Sequence, residues 1–168
     1  ASSDISGLIG MYAHGNEPSH HVTYMYAFSG YQWKTAEKVR QVMRDFYFDK
    51  PEGLAGNEDC GAMSSWYVFS SLGFYPENPA SGIYVIGSPL FDKAAVNVGN
   101  GKTFTVETLN NSAENIYVQS ITLDGKPYTK SYISHDAIAK GGKMVFKMGN
   151  KPNLNFGKAL ADRPTNEL

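Results

Sequence analysis

Ala62-Met63-Ser64-Ser65-Trp66-Tyr67-Val68-Phe69 runs without a single charge, and Gly56-Asn57-Glu58-Asp59 stands just before it. The run continues to Leu72, and Gly73 follows as a C-cap. A helix that is apolar or small on every side belongs inside a structure. Working back along the chain, residues 35–47 read as a second helix. Thr35 is a suitable N-cap, and Val39, Val42, Met43 and Phe46 form one stripe. Glu37, Lys38, Arg40, Gln41, Arg44 and Asp45 occupy the rest, which is the pattern of an amphipathic surface helix. Earlier still, Pro18 suits a first helical position. From there the helix runs to about Phe28, before Gly30, and its Val22, Tyr24, Met25, Tyr26, Ala27 and Phe28 are apolar nearly all round. The order is therefore buried helix, surface helix, buried helix. Alternating inner and outer helices of an α/α barrel give this order, and so does a plain helical bundle.

The grammar changes after Tyr75. The segment 75–82 is rich in turn formers. Beyond it, Thr103-Phe104-Thr105-Val106, residues 116–123 and residues 144–148 alternate with the period of a half-buried strand. Asn100-Gly101, Asp124-Gly125 and Gly141-Gly142 lie between such runs as turn signals. Helices followed by strands indicate an α+β class. The expected plan is a helical part over 1–75, followed over 76–168 by a small antiparallel β-layer and a C-terminal tail.

Composition limits the possible functions. Hydrophobic residues make up 42% and charged residues 18%, which is globular rather than disordered. The net charge of −1 supplies no basic field for nucleic acid or anionic lipid. No apolar run approaches the length of a membrane helix. Cys60 is the single cysteine, so neither an internal disulfide nor a cysteine metal cage is expected. It reads as a packed residue. The chain reaches a site-like motif soon after Ala1, which reads as the start of a fragment.

Two loops resemble one another. Gly15-Asn16-Glu17-Pro18 precedes the first helix and Gly56-Asn57-Glu58-Asp59 the third. Their spacing is about that of one helical hairpin, so in a barrel both fall at the same end. There they would gather carboxylates and amides around one cleft. Oxygen-only ligands of this kind suit calcium. The plainer reading is that Asn16 and Asp59 are helix caps and that Glu17 and Glu58 sit in first turns. His20 and His21 are adjacent and point about 100° apart on a helix, unlike the i, i+4 pair of a zinc site. His14 stands where it could hydrogen-bond a sugar hydroxyl.

Residues 14–21, residues 53–76 and Tyr84-Val85-Ile86-Gly87-Ser88-Pro89-Leu90-Phe91 resemble the glycoside hydrolase family 92 α-mannosidases. The resemblance spans residue 7 to about residue 165. It implies exo-acting, inverting, Ca²⁺-dependent hydrolysis of α-linked mannose, often α-1,2, from N-glycans or mannan. It implies an (α/α)6 barrel preceded by a β-sandwich, in an exported and typically bacterial enzyme, secreted or periplasmic. Family chains are far longer, and their general acid is a Glu from an upstream region. This chain would then be a C-terminal part, contributing three barrel helices and the base-bearing half of the site, and its partner would be the missing N-terminal part. By the same resemblance, Asp59 matches the general base, and Asn57 a position often Asp that is tied to water activation. Glu17 lines the mannose and calcium site, with Asn16 and Asn57 as further metal ligands and His14 and Glu58 as sugar contacts. Two rival readings remain at this point. One is a non-catalytic carbohydrate-binding fragment, and the other is a different α/α-barrel glycosidase or phosphorylase.

Overall fold

A computed structural model describes residues 5–165. β1 (Leu8–Ile9) and β2 (Tyr12–Ala13) form a short hairpin that leads into the first loop. The predicted first helix is two 3-10 segments, Glu17–Ser19 and Val22–Ser29. Val22, Thr23, Tyr24, Tyr26 and Phe28 are β-branched or aromatic and lose side-chain freedom in an α-helix. Left-handed Gly30 closes the segment with a bond to the Ala27 carbonyl. α1 (Gln32–Phe46) starts three residues before Thr35, with Tyr31 at its N-cap position. Thr35 itself is buried in the first turns. α2 (Ala62–Leu72) has the predicted limits and ends on Gly73.

The expected contrast between buried and surface helices is absent, since all three segments carry buried residues. Within α1, Arg44 alone is exposed, because its polar residues are used against the β-layer. Tyr117 donates to Glu37 at 2.9 Å. Buried Arg40 inserts between two loops. Its Nε donates to Ser88 Oγ at 3.0 Å, and its other nitrogens donate to the Pro89 and Ser112 carbonyls and to Asn111 Oδ1. Desolvation pushes its pKa down to about 10. The two apolar segments also keep exposed apolar side chains, Val22, Met25 and Tyr26 on the first and Val68 on the second.

β3 (Phe74–Tyr75), β4 (Ile83–Ile86) and β9 (Tyr132–Ser134) form a three-stranded antiparallel sheet. β5 (Lys93–Gly99), β6 (Lys102–Leu109), β7 (Tyr117–Leu123), β8 (Lys126–Tyr128) and β10 (Gly142–Gly149) form a second, ordered β5-β6-β10-β7-β8. Asn100-Gly101 and Asp124-Gly125 are its hairpin turns, each with two left-handed residues. Gly141-Gly142 makes no hairpin. It leads out of α3 (His135–Ala139) into β10, which inserts between β6 and β7. β10 runs parallel to β6, so the layer is mixed rather than purely antiparallel. Buried Met144, Phe146 and Met148 alternate along this central strand and fill the sheet core.

β4 joins this core to the helical one. Val85 packs with Tyr24, Val39 and Trp66, while its neighbour Ile86 packs with Phe74 and Phe146. Successive strand side chains point to opposite faces. From α1, buried Gln32 donates to the Ile86 and Gly87 carbonyls at 3.2 and 2.8 Å. Arg40→Met should lower the thermal midpoint of the intact protein markedly, with a cost of roughly 3 kcal/mol from the stranded acceptors. A melting comparison against Arg44→Met, whose side chain is exposed and should be silent, checks this.

Candidate active site

The two Gly-Asn-Glu loops meet backbone to backbone. A Cβ built on Gly56 would lie 2.5 Å from the Gly15 carbonyl oxygen, and one on Gly15 only 2.0 Å from Ser6 Oγ. Gly56 also has a φ of +84°. Glycine here permits both the contact and the turn. The contact brings Glu17 and Asp59, one from each loop, within hydrogen-bonding reach of each other's side chains. Glu17's carboxyl is held below the usual range, first by its own backbone N–H at the start of the 3-10 turn and then by Asp59. Both residues are exposed, as is Asn57, while Asn16 is half-buried.

Neither loop is a simple cap. Asn16 occupies an N-cap position, but its side chain makes no capping bond. The N-cap position of α2 is Gly61 rather than Asp59. Asp59, Cys60 and Gly61 have φ values of 49°, 57° and 91°, three consecutive left-handed residues. Such backbone is costly for a non-glycine residue and persists only where its surroundings enforce it. Cys60 is exposed on this turn rather than packed.

Glu58 points along the helix rather than into the cleft. Its Oε1 accepts from the Ser64 N–H at 3.0 Å and its Oε2 from the Ser64 hydroxyl at 2.9 Å. The expected sugar contact is therefore engaged with α2. His14, the other expected sugar contact, is fully buried beneath the loops. Tyr47 donates its hydroxyl proton to the Met63 carbonyl at 3.1 Å. His14 Nε2 must then donate to the Tyr47 oxygen, 2.7 Å away. Burial, followed by the effect of His20, pushes the His14 pKa down to about 3. The neutral ring's Nδ1 therefore accepts from Tyr12, at 2.6 Å. This relay ties the β1–β2 hairpin, the end of α1 and the start of α2 together under the site. His20 is buried and donates to the His14 carbonyl at 3.0 Å, while His21 is exposed. Trp66 lies between these groups, edge-on to His14 at 4.4 Å between centroids, and donates to the His20 carbonyl at 3.1 Å. Tyr12 and Tyr47 were missed in the sequence, because nothing local marks a tyrosine whose partner is far along the chain.

Residues 1–150 match the glycosyl hydrolase family 92 catalytic domain. A family 92 α-mannosidase of Bacteroides thetaiotaomicron, solved in complex with mannoimidazole, is 43% identical and superposes with a TM-score of 0.93. It matches 96% of this chain over 21% of its own. A family 92 inverting mannosidase of the same organism is 41% identical with a TM-score of 0.87, over 92% of this chain and 21% of its own. A protein of Arthroderma benhamiae named as an uncharacterized secreted glycosidase is 35% identical over 89% of this chain and 20% of its own length. The chain thus spans about one fifth of these relatives.

Gly56→Ala should cost most of the activity of the intact protein, because its methyl group meets the Gly15 backbone, and an activity assay on the folded variant checks this. Acid should also loosen the site. His14 binds a proton far more readily unfolded than folded, so its contribution is complete above about pH 6.5 and declines as the pH falls toward 3. The thermal midpoint should fall over that window, at up to about 1.4 kcal/mol per pH unit for one such group. His14→Gln should be less stable at neutral pH and show a flatter decline.

Proposed function

The chain belongs to glycosyl hydrolase family 92, and from that premise we propose that it is the base-bearing part of an enzyme that hydrolyses terminal α-linked mannose. The favoured linkage is α-1,2, in N-glycans or mannan, and the reaction inverts the anomeric centre. The two Bacteroides relatives, named as an α-mannosidase and an inverting mannosidase, support this reading. The observation that carries it is the Glu17–Asp59 pair, assembled from distant loops at an exposed edge.

The two carboxyl groups of an inverting enzyme stand about 6.5–9.5 Å apart, to leave room for water. Glu17 and Asp59 are too close to be that pair. In this reading Asp59, the position that matches the family's base, is the general base, and its acid partner is supplied by the remainder of the enzyme. Asn57 bears no titratable proton, and its carboxamide orients the attacking water.

The donor set fits calcium. The Glu17 carboxylate and the amide oxygens of Asn16 and Asn57 are hard oxygen donors of the kind calcium takes. Among the described residues no group of three or more His, Cys, Asp or Glu gathers around a possible ion. Bound Ca²⁺ would therefore need further oxygen ligands beyond side-chain carboxylates. Glu17, Asn16 and Asn57 would hold Ca²⁺, which when bound would grip mannose hydroxyls and favour a distorted ring.

We assign residues 1–75 to an (α/α)6 barrel completed by the rest of the enzyme, and 76–168 to a β segment packed on it. The exposed apolar residues Val22, Met25, Tyr26 and Val68 are left for that remainder to cover. The enzyme is secreted or periplasmic, in keeping with the name of the Arthroderma relative. No described helix is long and apolar enough to cross a membrane.

Hydrolysis of α-1,2-mannobiose by the intact enzyme, followed by NMR, should give β-mannose first and stop with a chelator. Asp59→Asn should lower kcat by about 10²–10⁴-fold. α-Mannose as first product, or an Asp59→Asn enzyme within tenfold of the unaltered one, would sink the assignment.

A further inference from the structure

We infer that Glu58 is a positioning residue for Asp59, acting through a clamp on Ser64 rather than through the sugar. The inference rests on Asp59 being the base.

The backbone between these residues is under strain. Asp59 and Cys60 both adopt left-handed conformations, and Cys60 has no short polar side chain to favour one. Each such residue relaxes toward ordinary backbone unless something holds the ends of the turn. Glu58 and Ser64 are those ends. Main-chain bonds span the turn weakly, with the Met63 N–H 3.3 Å from the Glu58 carbonyl and the Ala62 N–H 3.2 Å from the Asp59 carbonyl. The Glu58 carboxylate adds two shorter bonds, at 3.0 and 2.9 Å, to the N–H and hydroxyl of Ser64. Both bonds are charge-assisted, and one satisfies a first-turn donor of α2. The carboxylate therefore fixes the turn to the helix, and the turn aims Asp59 toward Glu17.

This role differs chemically from a sugar contact. With one bond from Ser64 to each oxygen, the Glu58 carboxylate is held against the first turn of α2. A clamp needs two acceptor or donor positions in a fork, which a glutamine also provides. In the Glu58→Gln variant the carboxamide oxygen would accept the Ser64 N–H, and the carboxamide nitrogen would donate to the Ser64 hydroxyl.

The test is steady-state kinetics of the intact enzyme on α-1,2-mannobiose for Glu58→Ala, Glu58→Gln, Ser64→Ala and, as a control, Asp59→Asn. Thermal melts identify any variant that fails to fold. Glu58→Ala should lower kcat about 10²-fold with KM within about threefold. Glu58→Gln should recover to within about fivefold of the unaltered enzyme. Ser64→Ala, which keeps only the N–H bond, should fall between them and stands as the test if Glu58→Ala does not fold. A Glu58→Gln enzyme as impaired as Glu58→Ala, or a KM rise without loss of kcat, would overturn the clamp, as would a Ser64→Ala enzyme with unaltered kcat. Failure of the base assignment is read separately, from Asp59→Asn alone.

Discussion

The burial of Trp66 beneath the two loops is the contact on which the rest of the site depends. Its ring is fully enclosed and stacks with Tyr47 at an interplanar angle of 7°. It meets His14 edge-on, and its N–H is satisfied by the His20 carbonyl. One side chain from the middle of α2 thus fixes both the segment before the first loop and the segment after it. A buried indole is a large apolar surface with one polar demand. Here that demand is met by the backbone of His20, which ties α2 to residues 14–20.

With that floor in place, the loops have little freedom. Gly15 and Gly56 touch where no Cβ fits on either side. The carboxylates of Glu17 and Asp59 then project from a common edge. Their closeness is unfavourable for two bare charges, and a site that accepts a proton or a cation between them relieves it. The cost is borne by structure further down. The neutral His14 relay, the Glu58 clamp and the two glycines all hold groups in place that would otherwise drift apart. Strain and like charge therefore concentrate at the exposed tip, above a base made of aromatic packing.

The β-layer supports this arrangement at a distance. Arg40 and Gln32 reach from α1 into carbonyls on the far side, and β4 sends Val85 into one core and Ile86 into the other. Arg40 is a buried cation that has neutral oxygens for acceptors. Such a side chain suits a joint that must be specific in register, since every acceptor has to be present at once. α1 is thereby held on both faces, which fixes Tyr47 at its end and, through Tyr47, the His14 ring.

Local chemistry was enough to read the α+β class, α2 with its glycine stop, three of the strands and two of the hairpin turns. Each is set by neighbours within a few residues: a charge-free run, period-two alternation, an Asn-Gly or Asp-Gly pair. The resemblance of the two loops was also legible, because glycine, amide and carboxylate repeat in order. What the sequence left open was every feature settled by a distant partner. The amphipathic α1 looked like a surface helix, yet Gln32, Glu37 and Arg40 find partners across the chain and Arg44 alone stays exposed. The apolar segment after Pro18 folded as 3-10 turns, since its branched and aromatic residues resist an α-helix. β10 was visible as a strand, but its parallel place beside β6 rests on pairing with residues far away in the chain. His14 and Glu58 carried the right side chains for a sugar. Whether an imidazole or a carboxylate faces a cleft or the core is decided by which donors stand nearest, and only the tertiary structure brings Tyr12, Tyr47 and Ser64 within reach.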